Sequence, residues 1–299
     1  MSDIATLVTD GIVAEDVPLG PLTTYKAGGP ARLFATVDTL AQLRRVVDSG
    51  LPREHRVLVL GRGSNLVVAD AGFDGLVLRL GGVFGDVSVE GERVVAGSAA
   101  PLARVARTSV DAGVLGLEFF VGIPGSVGGA VRQNAGCFGV ETSDCLVSAH
   151  LIDLLDGAER HVDADGLDLG YRHSNVGSHD LVVAATFRGV TGSVAAGKEK
   201  MREITRWRRD HQPGGTLNAG SVFKNPPGIA AGELIDDLGL KGMTEGDVSV
   251  SGKHANFFVA GPNATSADIY RLVARVKDTV FERSGTMLEP EIQFVGFER

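Results

Sequence analysis

The chain has 299 residues, enough for one large domain or two to three modest ones, and its 43% hydrophobic content can fill real cores. A formal net charge of −8 excludes a general nucleic-acid surface, which needs clustered Lys and Arg to neutralise phosphates. With Cys 2 and His 7 at no ligand spacing, a disulfide scaffold and a structural zinc site are excluded too.

The N-terminal MSDIATLVTDG lacks the basic start and apolar run of a signal peptide, and no apolar stretch reaches the ~18 residues that span a bilayer, so a cytoplasmic protein acting on small molecules is expected. Residues Leu19 to Arg32 mix turn formers with polar side chains and read as a loop or two short strands. Asp38 or Thr39 caps a helix carrying Leu40, Leu43, Val46 and Val47 on one face, with Gly50-Leu51-Pro52 as its stop. Arg56 to Leu60 reads as a buried strand running into Gly61-Arg62-Gly63-Ser64-Asn65, followed by a strand over Leu66 to Val68. This loop is no Rossmann fingerprint, since the third glycine is missing and a strand, not a helix, follows; a P-loop is absent as well. A turn at Asp70 to Gly75, a strand from Leu76 to Leu80 and a hairpin of Val87 to Val89 with Arg93 to Val95 come next. Ser98 is placed to cap a helix bearing Leu102, Val105, Ala106 and Val110, and Leu117 to Val121 then leads onward.

The stretch from Gly122 to Glu141, GIPGSVGGAVRQNAGCFGVE, holds six glycines among small and amide side chains. Glycine permits unusual turns and lets a bound group approach peptide N–H donors, so the stretch is either one wall of a phosphate-bearing cofactor site or a loop of mere turns. Because Gly61 to Asn65 also lies beyond a strand, one site bordered by both loops is the expectation. Cys137, within the stretch, reads as a small buried thiol. Strands follow at Ala149 to Asp153 and Leu181 to Phe187, with Tyr171-Arg172-His173-Ser174 between them. Gly189 to Gly197 is small and flexible and reads as a boundary. The cation-rich helix Lys198 to His211 presents a solvated face, with one or two arginines as candidates for an anionic substrate. Beyond it come the polar loop Gly214 to Pro227, a short helix from Gly232 to Leu238, and Lys253-His254-Ala255-Asn256 leading into a strand. Thr265 or Ser266 caps the last helix, which carries Ile269, Leu272, Val273, Val276 and Val280 on one face and ends before Gly285. In the closing strand, Leu288 to Val295, a period of two puts Ile292 and Phe294 on one side and Glu291 on the other, toward water or a site. The near-repeat of GDVSVEG at 85–91 and GDVSVSG at 246–252 is too short to mark a duplicated unit.

Eight motifs stand in one order: Thr24-Tyr-Lys-Ala-Gly-Gly29, Gly61-Arg-Gly-Ser-Asn65, Gly122-Ile-Pro-Gly-Ser-Val-Gly-Gly129, Gln133-Asn-Ala-Gly136, Tyr171-Arg172, Gly220-Ser-Val-Phe-Lys-Asn225, Lys253-His-Ala-Asn256 and Leu288-Glu-Pro-Glu291. In them the chain resembles, over nearly its whole length, the flavin-dependent UDP-N-acetylenolpyruvoylglucosamine reductases. The resemblance implies an α+β architecture: an FAD-binding fold of the vanillyl-alcohol oxidase type in two α+β subdomains, residues 1–80 and 81–192, plus a C-terminal α+β substrate domain, 193–299. It implies FAD held by Gly61, Arg62, Gly63, Ser64, Asn65, Gly122, Ile123, Pro124, Gly125, Ser126, Gly128, Gly129, Asn134, Ala135 and Gly136. The cofactor is expected to be non-covalent, since Gly61 to Asn65 contains no histidine of the kind that anchors flavin in oxidase relatives. NADPH is implied as co-substrate and a UDP-sugar as substrate, with Tyr171, Lys224 and Asn225 binding it. Arg172 and Glu291 are implied to stabilise the enolate formed beside the substrate carboxylate, and Ser221 to donate the proton that quenches it. A hydrolase role for Ser221 would need a GxSxG elbow or a His/Asp partner motif, and neither is present.

No tyrosine occurs between Arg172 and Ser221, so the chain is similar to the branch of the family without the extra tyrosine-bearing loop. Arg132 and Ala260 depart from residues frequent in the family and leave room for a paralogous reductase or oxidase on a related enolpyruvyl or sugar substrate. A nucleotide-binding protein without turnover is the third reading. A monomer with no nucleic-acid or membrane partner is expected.

Overall fold

In the computed structural model, which describes residues 4–297, helices and strands are interspersed along the chain, the α+β class expected from the sequence. Two units are each assembled from separate segments. The first takes the N-terminal segment up to Glu15, Leu33–Gly61 and Gly75–Trp207; the second takes Asp16–Arg32, Arg62–Asp74 and the segment from Arg208 onward. Among the described residues no helix is long and apolar enough to cross a membrane.

In the first unit the Leu40–Asp48 helix starts at Thr39, whose Oγ1 accepts from the Gln42 backbone N–H while Gln42 Oε1 accepts from the Thr39 N–H. Such a reciprocal cap contributes about 1 kcal/mol. Leu43, Val46 and Val47 face Leu33, Ala35, Leu76 and Leu78 in one core. The helix stops where expected, ahead of left-handed Gly50, and a short helix, Leu51–Glu54, opens directly after it, because Pro52 sits in its first turn, where a missing N–H costs nothing. Val57–Val59 pairs in parallel with Phe73–Leu80. It is the edge strand of a sheet ordered Val13–Pro18, Pro30–Val37, Phe73–Leu80, Val57–Val59, which is why it is half-exposed rather than buried.

A second core lies on an antiparallel sheet ordered Glu159–Asp163, Leu146–Asp153, Asp180–Arg188, Arg93–Gly97, Val87–Glu90. Against it pack Leu102, Val105 and Ala106 of the Leu102–Asp111 helix and Val127, Ala130 and Val131. Ser98 does not cap that helix. Its backbone N–H still donates to Val183 O in the sheet, and the helix begins after Pro101. The apolar run at Leu117, left without an assigned element because a short apolar run carries no period, is a buried 3-10 turn, Glu118–Gly122. Phe120 there meets Phe187 edge-on at 5.3 Å.

The stretch expected to be flexible, Gly189 to Gly197, is ordered. Val190–Thr191 pairs with Val114–Leu115, and the next helix already starts at Val194, running to His211. Gly197 is small for packing: a Cβ there would lie 2.7 Å from Leu115 Cδ2 and 2.8 Å from Val110 Cγ1. Otherwise the helix buries only Ile204 and carries surface pairs such as Arg202–Glu199, the solvated face expected of it.

The second unit has its own core, with Tyr25, Val67, Phe223, Ile235, Phe258, Leu272 and Val276 among its members. Leu66–Val68 pairs in parallel with Gln293–Val295, and Thr244–Glu245, Val248–Val250 and Phe258–Ala260 form an antiparallel sheet. The Ser266–Ser284 helix is capped by Thr265 and ended by Gly285 in the left-handed region. The Asp70 carboxylate also accepts from the Ser266 and Ala267 N–H groups at its start, each at 2.9 Å. Residues 85–91 and 246–252 fall in different sheets, so their likeness marks no repeat.

Candidate active site

The glycine-rich stretch is not a plain loop. In the first unit it folds as a turn, a helix over Val127–Gln133, and a hairpin of Gly136–Cys137 with Val140–Glu141. Gly122, Gly128 and Gly136 are fixed by packing, because a Cβ would lie 2.8 Å from Cys137 Sγ, 3.1 Å from Ser98 Cβ and 2.7 Å from Val140 O respectively. Gly61 lies against the same stretch, where a Cβ would stand 2.7 Å from Ser126 Oγ. At Gly125 and Gly129 the protein leaves ordinary room, 3.4 Å and 3.7 Å, so nothing in the fold itself requires glycine there. Glycine at these two positions leaves backbone open to an occupant. Buried Ser98 Oγ, beside Gly128, has no hydrogen-bond partner among the described residues. Open backbone and a spare hydroxyl fit a phosphate-bearing cofactor at the Gly125 to Gly129 segment, flanked by Ile123, Pro124 and Ser126.

Asn134 ends the helix in the left-handed region, φ 42°, and is buried. Its Nδ2 donates to Glu141 Oε2 at 2.9 Å and to Gly170 O at 3.0 Å, and its Oδ1 accepts from the Ser143 N–H at 2.8 Å. The amide thus ties the hairpin that follows Ala135 to the chain entering Tyr171-Arg172. Arg172, itself at φ 53°, has its guanidinium 3.6 Å from Glu141 Oε1, 3.4 Å from Gly136 O and 5.0 Å from the Tyr171 ring centroid. Tyr171 is exposed.

In the second unit, Gly220 at φ 75° turns the chain into a segment held on both sides: Ser221 bridges Phe257 and Phe223 bridges Pro290. The Glu291 N–H donates to Val222 O at 2.7 Å, which fixes the Glu291 backbone beside Ser221. Asn65 Nδ2 donates to Glu291 O at 3.1 Å, and Asn65 O accepts from the Gln293 N–H at 3.0 Å. Ser221, Glu291, Lys224 and Asn65 are therefore gathered in one place. Lys224 Nζ reaches Glu289 Oε1 at 2.6 Å, and Asn225 Oδ1 accepts from the Ala231 N–H, supporting the start of the Ala231–Asp237 helix. Gly63 is left-handed, with Leu22 O 2.4 Å from where its Cβ would stand; Ser64 is half-buried and Arg62 exposed.

Two residues outside the expected set help build these arrangements. Glu141 closes the glycine-rich stretch, and its lone carboxylate among small residues was the available signal. Asn256 pairs with Phe223 like a peptide: Nδ2 donates to Phe223 O at 2.8 Å and Oδ1 accepts from the Phe223 N–H at 2.9 Å. Its motif was visible, but not this use of it. Tyr25, from the first motif, donates to Phe258 O at 3.2 Å, and burial raises its phenol pKa despite the Ala219 N–H beside it. Burial likewise pushes His254 below the usual imidazole range, with Lys241 adding to the shift.

The FAD binding domain family matches residues 31–163, and the C-terminal domain of UDP-N-acetylenolpyruvoylglucosamine reductase matches residues 212–295. The chain is 41% identical over 286 residues to the UDP-N-acetylenolpyruvoylglucosamine reductase of Azorhizobium caulinodans, covering 96% of this chain and 92% of that protein. It is 41% identical to the one from Methylorubrum populi, covering 100% and 97%. The crystal structure of UDP-N-acetylenolpyruvylglucosamine reductase from Thermus caldophilus is similar with a TM-score of 0.83 at 36% identity, over 94% of this chain and 98% of that one.

Proposed function

Because the chain belongs to the UDP-N-acetylenolpyruvoylglucosamine reductase family, we propose that it reduces the enolpyruvyl ether of UDP-N-acetylglucosamine to UDP-N-acetylmuramate, a peptidoglycan precursor, with NADPH as electron donor. The observation that carries the reading is the Glu291 N–H on Val222 O, which holds a carboxylate-bearing residue next to Ser221 on a doubly bridged segment. When bound, FAD supplies the two-electron relay between NADPH and the vinyl carbon. The protein's task is then to manage charge and one proton. Arg172 supplies a permanent cation for the substrate carboxylate, beside which negative charge develops. Ser221 delivers the proton to the adjacent carbon. A serine is a weak acid, so it serves only where it is held on target, and the bridges at Ser221 and Phe223 support that role. Glu291 assists at the same carbon, while Tyr171, Lys224 and Asn225 bind substrate.

FAD is proposed to be non-covalent and contacted by the segments Gly61 to Asn65 and Gly122 to Gly136, with FAD subdomains at 1–80 and 81–192 and a substrate domain at 193–299. A cytoplasmic monomer is proposed; the purified protein should elute as one chain and release its flavin on denaturation. Anaerobically, NADPH should bleach the yellow protein and the enolpyruvyl nucleotide should restore its colour. Colour that stays lost would defeat the substrate assignment. Ser221→Ala should leave bleaching nearly intact and slow recolouring by roughly 10²–10⁴-fold, the usual worth of a positioned proton donor. Equal loss in both halves would make Ser221 structural.

A further inference from the structure

We infer that Glu141 is a positioning residue that holds the Arg172 guanidinium in place, an inference resting on the reading of Arg172 as the partner of the substrate carboxylate. Arg172 has a long side chain on a left-handed backbone, φ 53°, a conformation that costs a non-glycine residue about 1 kcal/mol or more. Something must compensate for it and choose among the rotamers of that side chain.

Glu141 does so from a fixed base. Its backbone N–H donates to Asp144 Oδ2 at 2.8 Å at the start of the Thr142–Asp144 turn. Oε2 accepts from Asn134 at 2.9 Å, and Oε1 lies 3.6 Å from an Arg172 nitrogen. The second hydrogen of the same Asn134 amide goes to Gly170 O, two residues before Arg172. One amide therefore sets both the anion and the backbone that carries the cation. At 3.6 Å the contact is an ion pair rather than a hydrogen bond, so it directs the guanidinium by charge without fixing its N–H geometry.

An ordinary surface ion pair would contribute about 0–1 kcal/mol and direct nothing. This one differs in that the Arg172 side chain is 18% exposed and the Glu141 side chain 33%, and the anion has little freedom to follow a moving cation. Losing the charge should release the guanidinium. A shift near 1 Å in a charge-stabilising group costs about 10²-fold in rate.

The test is Glu141→Gln, which keeps the shape and removes the charge. Bleaching by NADPH should stay within about twofold of wild type, and recolouring by the enolpyruvyl nucleotide should slow about 10–100-fold. In an Arg172→Lys background the same change should add less than about twofold, since the group being positioned is gone. A crystal structure of the variant should show the Arg172 guanidinium displaced from Gly136 O. A guanidinium that stays put, or slowing that multiplies in the Arg172→Lys background, overturns the proposal. Wild-type protein that never recolours defeats the proposed function instead, and the crystallographic comparison still decides the role of Glu141. If Glu141→Gln does not fold, Glu141→Asp, which keeps the charge on a shorter arm, should displace the guanidinium in the same way.

Discussion

Gly129 and Gly136 are the same residue type in one motif, yet they are glycine for different reasons. At Gly136 a Cβ would meet the Val140 carbonyl at 2.7 Å, and that oxygen belongs to hairpin backbone that cannot move aside cheaply. Gly136→Ala should therefore lower stability by about 1–3 kcal/mol, the usual cost of overpacking. At Gly129, in a helix, the nearest atom would be Ser126 Oγ at 3.7 Å, so alanine fits and should match or raise the stability of the flavin-free protein. If the glycine serves an occupant, Gly129→Ala should weaken FAD binding at least tenfold. Thermal melts of the flavin-free proteins and flavin titrations separate the two, and a Gly129→Ala protein that binds FAD like wild type removes that residue from the site. The sequence displays glycines but not the atoms beside them, so glycine content by itself does not separate a cofactor wall from a loop of turns, and the FAD reading came from the motif order. Asn134 is similar. Its motif was legible, while the use of its amide on Glu141 and Gly170 depends on segments brought together only by folding.

Helices with full local signals were legible as elements. Thr39 and Thr265 each carry a capping box, and the apolar spacing behind each marks the buried face, apart from Leu40, which was expected on it and is exposed. Elements without local punctuation were not: the buried turn at Glu118–Gly122 carries no periodic signal, and the packed start of the Val194–His211 helix reads as a flexible boundary. The candidate catalytic segment belongs with the illegible ones, because Ser221 to Lys224 has no strand partner along its whole length and is held partly by a side chain. Asn256 occupies both backbone groups of buried Phe223. Asn256→Ala leaves that N–H and that carbonyl without partners, and each buried orphan costs about 1–3 kcal/mol. Urea unfolding should show a loss of about 2 kcal/mol or more. Asn256→Asp, which keeps the acceptor, should fall between. An Asn256→Ala protein as stable as wild type would mean that water replaces the amide and that the segment needs no such clamp.

At the scale of the molecule, the chain passes from one unit to the other more than once, and this is what sequence order conceals. The second unit's core includes Tyr25, Ala27 and Val67, all far upstream of its main segment. The parallel partner of Gln293–Val295 is Leu66–Val68, the Asp70 carboxylate accepts from the first N–H groups of the Ser266–Ser284 helix, and Tyr25 hydroxyl donates to Phe258 O. A fragment spanning residues 208–299 would expose the apolar surface that Tyr25 and Val67 cover and lose the only strand paired with Gln293–Val295 among the described residues. Fully burying a large apolar side chain contributes about 1.5–3 kcal/mol, and whole domains are stable by only about 5–15 kcal/mol. The two lost side chains and the lost pairing together are comparable with that margin. The fragment should therefore lack cooperative thermal unfolding and show poorly dispersed amide resonances, whereas the full chain melts cooperatively. Adding residues 16–74 in trans should restore part of the dispersion. A 208–299 fragment that folds sharply by itself would show that the upstream segments decorate this core rather than complete it.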